Sequence, residues 1–457
     1  MLRSNTLRFM MLIVVMTITL GAYAQLSPIQ YFRPYDQSGI NVFETSKIDT
    51  VAFTGLKLRI GANFTQQYQS LKHSNSENIV GEVNKNALYD LSPGFNLAMA
   101  NLNLDVQLAD GIRVSLVSYM STRHHTEFWV KGGFFQIDKV GFLNNNFMNS
   151  LWKNLTLKVG HMEINYGDTH FRRSDAGNAL YNPFVENNIL DAFATEIGGE
   201  LTWQKSGFLV MGGITDGEVQ GSVTKGDDRS PSIYCKVGYD NLIGQSARVR
   251  LTGSVYSTKS SISNTVYSGD RAGSHYYMVL EGPTATASAN FTSGRINPGF
   301  KDNVTSLMIN PFIKIRNVEL FGTYETSKGN SQVENGEVQS TDPLQPELTK
   351  LEDRQFNQYA VDGLYRFANE KMYVGAKYNV VEGDLSFGSS TTQPNIAQGL
   401  RENVKVQRTA LAAGWFITPN ILMKAEYVTQ RYLDFLYADM RSNGKFEGFL
   451  IEGIIGF

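Results

Sequence analysis

Along most of this chain, apolar residues recur at every second position. Leu56, Leu58, Ile60, Ala62 and Phe64 alternate with Lys57, Arg59, Gly61, Asn63 and Thr65, and Leu102, Leu104, Val106 and Leu108 alternate with Asn101, Asn103, Asp105 and Gln107. The same register returns at 155–160, 247–255 and 421–427. Residues two apart share one face of a strand, so each segment has a greasy face and a wet one. After residue 24 no stretch shows helical three-and-four spacing, and none approaches the roughly 20 apolar residues of a membrane-spanning helix. An all-β chain is expected. Its mean hydropathy of -0.23 rules out a polytopic helical membrane protein. It leaves room for a membrane barrel, whose alternating strands average near neutral. A net charge of -2 argues against nucleic acid as a partner, since that would want a basic surface. A single cysteine, Cys235, excludes a disulfide framework and any cysteine-based metal cluster.

The opening residues read as an address. Arg3 and Arg8 precede the apolar run 9–20, and Ala22-Tyr23-Ala24 offers an A-x-A cleavage site before Gln25. Residues 1–24 are therefore expected to be a signal peptide, 25–55 an N-terminal extension, and 56–457 a transmembrane β-barrel. The extension, with its cluster of Tyr31, Phe32 and Tyr35, is read as a short plug, a periplasmic tail or a rim strand.

Strand-like segments from 56–68 to 446–457 number eighteen, with sixteen as the alternative; they include 274–281 and 284–292, split at Pro283. Tight turns such as Asp110-Gly111, Lys205-Ser206 and Thr418-Pro419-Asn420 alternate with long polar stretches at 69–95, 166–191, 217–231, 259–273, 328–353 and 384–402. Two connections break the rule, 122–126 by being short and 140–153 by being long. Such sorting is that of an antiparallel membrane barrel with long extracellular loops and short periplasmic turns. The split at Pro283 keeps all later connections on their proper side.

The last strand, Gly448 to Phe457, places Phe449, Ile451, Ile455 and Phe457 on one face and ends in an aromatic residue. With the leader and the alternation, that ending is similar to the assembly signature of outer-membrane barrels. The run Pro28-Ile29-Gln30-Tyr31-Phe32-Arg33-Pro34-Tyr35-Asp36, its continuation Gly39 to Glu44, Val159-Gly160-His161, Asn165-Tyr166-Gly167-Asp168, Phe171 to Asp175 and Asn310-Pro311-Phe312 resemble the porin-like outer-membrane proteins of Bacteroidota. More distantly the plan is similar to the phosphate-selective porins, although their basic phosphate-binding residues find no match. The resemblance spans the whole mature chain and implies a barrel and a porin-like role in the outer membrane of a Gram-negative cell, with no particular solute. It further implies outer-membrane lipid and the barrel-assembly machinery, met through the strand ending at Phe457, as partners. Porins are often trimers, so a homotrimer is a further expectation.

If the apolar faces meet lipid, the alternate residues line a lumen. That assigns Lys57, Arg59, Arg113, Lys131, Lys158, Lys236, Arg248, Arg250, Lys314, Arg316, Arg366, Lys377 and Lys424 to the interior, with Asp105, Glu196, Glu200, Glu319, Glu325, Asp362, Glu426 and Glu452. A basic side chain facing lipid at mid-depth would cost about 2–4 kcal/mol, which favours this facing as a set. The basic excess suggests a mild anion preference, although paired charges that merely brace the wall would cancel it. The stretch 166–191 is the candidate constriction, carrying Arg172 and Arg173 beside Asp168, Asp175, Glu186 and Asp191, with His170 between. Opposed basic and acidic groups would orient dipolar solutes in a narrow pore. The same arginines would equally serve to pin the loop to the wall through those carboxylates.

Catalytic signatures are sparse: no H-E-x-x-H and no G-x-S-x-G occurs, and the S-x-x-K matches at Ser150 and Ser442 are of a kind that arises by chance. The expected function is passive diffusion of small hydrophilic solutes through an aqueous channel, with no catalytic residues, cofactor or metal. The alternatives are a barrel-based hydrolase and a non-conducting adhesin or assembly barrel.

Overall fold

The computed structural model describes residues 27–48, 51–217, 230–259, 263–336, 350–386 and 400–457; the expected signal peptide 1–24, most of the stretches 217–231 and 384–402 and half of 328–353 lie outside them. Alternation becomes strand almost throughout. β1 (Lys57–Ser74) is followed by a small hairpin, β2 (Ile79–Val80) and β3 (Val83–Asn84), then by β4 (Gly94–Ala109), β5 (Ile112–Ser121), β6 (Trp129–Ile137) and β7 (Leu155–Glu163). β8 (Thr195–Lys205), β9 (Phe208–Thr215), β10 (Ser232–Ile243), β11 (Ala247–Thr258), β12 (Asn303–Ile315) and β13 (Val318–Asn330) come next. β14 (Arg354–Phe367), β15 (Met372–Ser386), β16 (Arg401–Thr418), β17 (Ile421–Leu433) and β18 (Lys445–Gly456) complete the order.

Leaving out the β2–β3 hairpin, these strands form one closed barrel in which each is antiparallel to its neighbours and β18 returns to β1. Closure leaves no unpaired strand edge, which a bilayer would not tolerate. The last residue takes part: Phe457 N donates to Ala62 O at 3.0 Å and Ala62 N to Phe457 O at 3.1 Å. The start of β1 and the end of β18 share one rim, called here the terminal rim; the opposite one is the far rim.

The barrel has sixteen strands, which corrects the expected eighteen. Segments 274–281 and 284–292 are not strands; they belong to a long far-rim connection between β11 and β12 that turns back into the barrel. Tyr276, Met278, Val279 and Leu280 are all buried, so successive residues are covered rather than alternate ones. Loop parity could not expose this, because removing two strands together leaves every later connection on the same side. One helix also departs from the all-β expectation: α1 (Asn146–Trp152) lies in the β6–β7 connection, capped by Asn145 Oδ1, which accepts from Met148 N at 3.1 Å.

The two faces of the wall differ as alternation requires. On the outside, Val237, Leu251 and Ile451 are 57%, 52% and 46% exposed, whereas the intervening Lys236 and Glu452 are fully buried. The protein's core therefore lies within the barrel. There the inward Val404, Val406, Val428, Phe446 and Leu450 pack against Val185, Ile189, Leu190, Tyr276, Val279, Ile296 and Phe300 from inserted segments.

Candidate pore and the segments that fill it

Three stretches occupy the lumen. Residues 27–48 enter from the terminal rim, where Gln30 Oε1 accepts from Gly111 N in the β4–β5 turn (2.8 Å) and Gln37 N donates to Pro419 O in the β16–β17 turn (2.9 Å). Lys47 is tied to Asp138 (3.2 Å) and to Leu155 O (2.6 Å).

Residues 164–194, which contain the candidate constriction, cross the waist and touch the wall on nearly every side. Asp168 is fully buried between Lys236 of β10 (3.1 Å) and Arg250 of β11 (2.7 Å) and also accepts from Thr252 Oγ1 (2.7 Å). Burial alone would raise its carboxyl pKa, but the two cations outweigh that and hold it below the usual carboxylate range. His170 bonds Asn165 Oδ1 (2.8 Å) and faces Glu163 (3.5 Å); burial lowers its pKa and keeps the ring neutral at pH 7. Arg172 reaches Asp362 of β14 (3.1 Å) and Glu319 of β13 (3.8 Å), with the Phe321 ring 5.0 Å away. Arg173 is held by Asp191 (2.6 Å) and Asp270 (3.0 Å), and Asp175 pairs with Lys131 of β6.

Farther along, Gly177 N donates to Asn101 Oδ1 of β4 (2.7 Å), and its carbonyl accepts from Thr65 Oγ1 of β1 (2.8 Å). A Cβ at Gly177 would meet Asn63 O at 2.5 Å, so only glycine allows this approach to the wall. Two strands along the wall from β1, Lys424 of β17 donates to Phe184 O (2.8 Å) and pairs with Glu452 of β18 (2.7 Å). Ile189 N and Leu190 N donate to Asn379 Oδ1 (2.7 Å) and Gln358 Oε1 (3.0 Å).

The third stretch, 263–302, lies on the far-rim side and locks onto the second. Arg295 binds Glu186 (2.7 Å) and Asp191 (2.9 Å), and His275 Nδ1 lies 2.6 Å from Glu452. Burial would raise the Glu186 pKa, but Arg295, His275 and Arg408 pull it below the ordinary carboxylate range.

The expected wall residues fall as follows. Arg113 donates to Gln136 (2.7 Å), Lys158 pairs with Glu200 (3.4 Å), and Glu196 accepts from Tyr256 (2.7 Å). Arg248 pairs with Asp240 (2.6 Å) and Lys314 with Glu370 (2.8 Å). Lys57 and Arg59 meet the N-terminal segment at the terminal rim, through Pro28 O (3.2 Å) and the Phe32 ring (4.8 Å). Arg316 is misplaced by the facing assignment: it is exposed in the β12–β13 turn with φ +50, where alternation no longer governs direction. Sequence reasoning passed over Arg408, although its inward register between Val406 and Ala410 was readable; it is fully enclosed and donates to Gly294 O (2.9 Å) and Gln430 Oε1 (2.6 Å). Arg295, Asp270 and Glu44 were missed because they lie in segments with no strand period.

What these pieces leave open at the waist is a cavity of about 30 Å³, where Arg172, Arg173 and Asp191 of the inserted segment face Asp362 and Lys377 of the wall. A larger recess of about 530 Å³ opens at the terminal rim beside Glu44, Lys47, Arg248 and Arg250.

No protein-family model matches the chain, and no curated protein matches it. Among solved structures it is similar to the anion-selective porin from Comamonas acidovorans (9% identity, TM-score 0.49, covering 88% of this chain and 100% of that one). It is similar, too, to the outer-membrane channel DcaP of Acinetobacter baumannii (10%, 0.47, 89% and 99%) and to OmpT, an outer membrane protein of Vibrio cholerae (12%, 0.46, 89% and 99%). An even number of antiparallel strands, a closed edge, an apolar outer wall and a charged inner one make this chain a β-barrel of the outer membrane.

Proposed function

We propose that the chain is a porin-type channel for small hydrophilic solutes, with a lumen that its own inserted segments narrow to a charged passage. The observation that carries this reading is the waist cavity, with basic and acidic side chains across a gap of molecular size inside a barrel of channel-forming width. In this reading the terminal rim, with its short turns and both barrel ends, faces the periplasm, the far rim faces outside, and 1–24 is removed on export. Assembly through the strand ending at Phe457 and a homotrimeric state belong to the same proposal; one similar solved structure, of Vibrio cholerae OmpT, is described as a trimer form.

A second reading, a non-conducting barrel, is favoured by the burial of 173–194 almost without a break. Liposome swelling with a size series of sugars, amino acids and organic anions separates the two. The channel reading expects entry of the smallest solutes and exclusion of larger ones. No swelling with any solute, together with no current steps in planar bilayers, would overturn it.

A further inference from the structure

The waist cavity borders one buried cation that makes no close ion pair among the described residues. Lys377 on β15 lies directly opposite Asp362 on β14 in the antiparallel register, the position from which opposite charges ordinarily pair. The pair does not close within 4.0 Å, and Asp362 Oδ1 accepts from Arg172 Nη2 at 3.1 Å. Asp362 is thus shared between the inserted segment and the wall. Lys377 is only 8% exposed, and among the described residues its ammonium makes no hydrogen bond and no ion pair within 4.0 Å. Its nearest aromatic company is the Phe184 ring, 5.6 Å away.

A buried ammonium without a partner is unfavourable unless something supplies the missing charge. Here the space beside it is a cavity of about 30 Å³, large enough for one small ion or about two waters. The other two cations of its lining, Arg172 and Arg173, already hold carboxylates, while Thr169 and the Asn188 carboxamide add hydrogen-bonding groups. Lys377 is thus the cation of this lining that has no ion pair of its own, and Asp191 and Asp362 on the same lining disfavour a second negative charge.

We propose that Lys377 makes the waist cavity a subsite for a small monovalent anion, a halide or a single carboxylate group. As a transport device this rests on the channel reading above; as a binding site it does not. Two measurements on the full-length protein keep them apart. In detergent, at ionic strength held constant with a bulky sulfonate, bromide and acetate should each raise the unfolding midpoint of the wild type and of Lys377→Arg. Lys377→Gln and Lys377→Met should lose that rise. In planar bilayers under a KCl gradient, the anion-over-cation permeability ratio should fall towards one in Lys377→Gln and invert in Lys377→Glu. A rise that persists in Lys377→Gln and Lys377→Met, or is matched by the sulfonate alone, overturns the subsite. A protein that binds both anions through Lys377 but passes no current would sink the channel reading and leave the subsite standing.

Discussion

The two far-rim segments that enter the barrel are held there by different mixtures of contacts. The 164–194 segment meets the wall through charge: Asp168 against Lys236 and Arg250, Arg172 against Asp362, and backbone carbonyls on Lys424. The 263–302 segment also has polar ties to the wall, His275 to Glu452 and the Gly294 carbonyl to Arg408, but adds ring contacts, with Tyr276 edge-on to Phe446 at 5.3 Å and Phe300 to Phe356 at 6.1 Å. A dry aromatic contact excludes water, whereas a lattice of ion pairs leaves polar surfaces on which water and solutes compete. If the chain conducts as proposed, the waist, with the denser charge, is the place to look for selection.

The comparison breaks most visibly if the waist segment is shortened. Removing 170–184 takes away the Arg172, Arg173 and Gly177 contacts, and single-channel conductance should rise several-fold; an unchanged conductance would show that the segment does not set the bore. Next in size is the bolt between the layers. Arg295→Ala leaves Glu186 buried without its partner, a loss of the kind that costs about 3–5 kcal/mol, so the unfolding midpoint should drop and current noise increase. If thermal melts of this variant match the wild type, the layers are not coupled through Arg295.

Protonation sharpens the contrast, because the two segments carry carboxyls shifted in opposite directions. Glu186, in the waist segment, lies below the ordinary carboxylate range, so its contribution is present at neutral pH and is lost only as pH falls below about 4. Glu281, in the outer layer, is pushed up to about 7 by burial, against the pull of its Asn290 hydrogen bond and of Arg441. Its folded form favours the protonated acid, so that contribution is present at low pH and fades as pH rises towards 7. Hydrogen-exchange protection factors, corrected for the base-catalysed intrinsic rate, should therefore fall around 276–290 between pH 5 and pH 8 while those at 184–190 hold. Equal responses in the two stretches would remove the distinction. The smallest effect is expected at Arg316. Replacing it with glycine relieves a left-handed backbone worth about 1 kcal/mol, and reversal potentials should not move, since the side chain is exposed in a rim turn away from the waist.

Most of the barrel was legible because lipid on one side and water or buried polar groups on the other impose a period of two, as at Lys236 between Cys235 and Val237. The count failed where that period had another cause. Tyr276, Met278 and Leu280 alternate acceptably, yet Tyr277 and Val279 between them are apolar too, and the run is packed from several sides inside the barrel. Nor could the pattern show that inward positions such as Val404, Val406 and Phe446 are apolar, since their partners arrive from distant segments. The waist segment drew notice through its length and charge, but its partners could not be read, because Asp362 and Lys377 lie nearly two hundred residues away in sequence. Alternation ends at a turn, and Arg316 shows the consequence.

The central claim is that residues pointing outward from these strands meet hydrocarbon while their neighbours are enclosed. The lone thiol of Cys235 faces outward on β10, exposed beside the buried Lys236, and can carry a nitroxide without any substitution. In reconstituted protein that label should collide freely with oxygen and scarcely with a water-soluble nickel complex. Ready access by the nickel complex, with little by oxygen, would contradict the account.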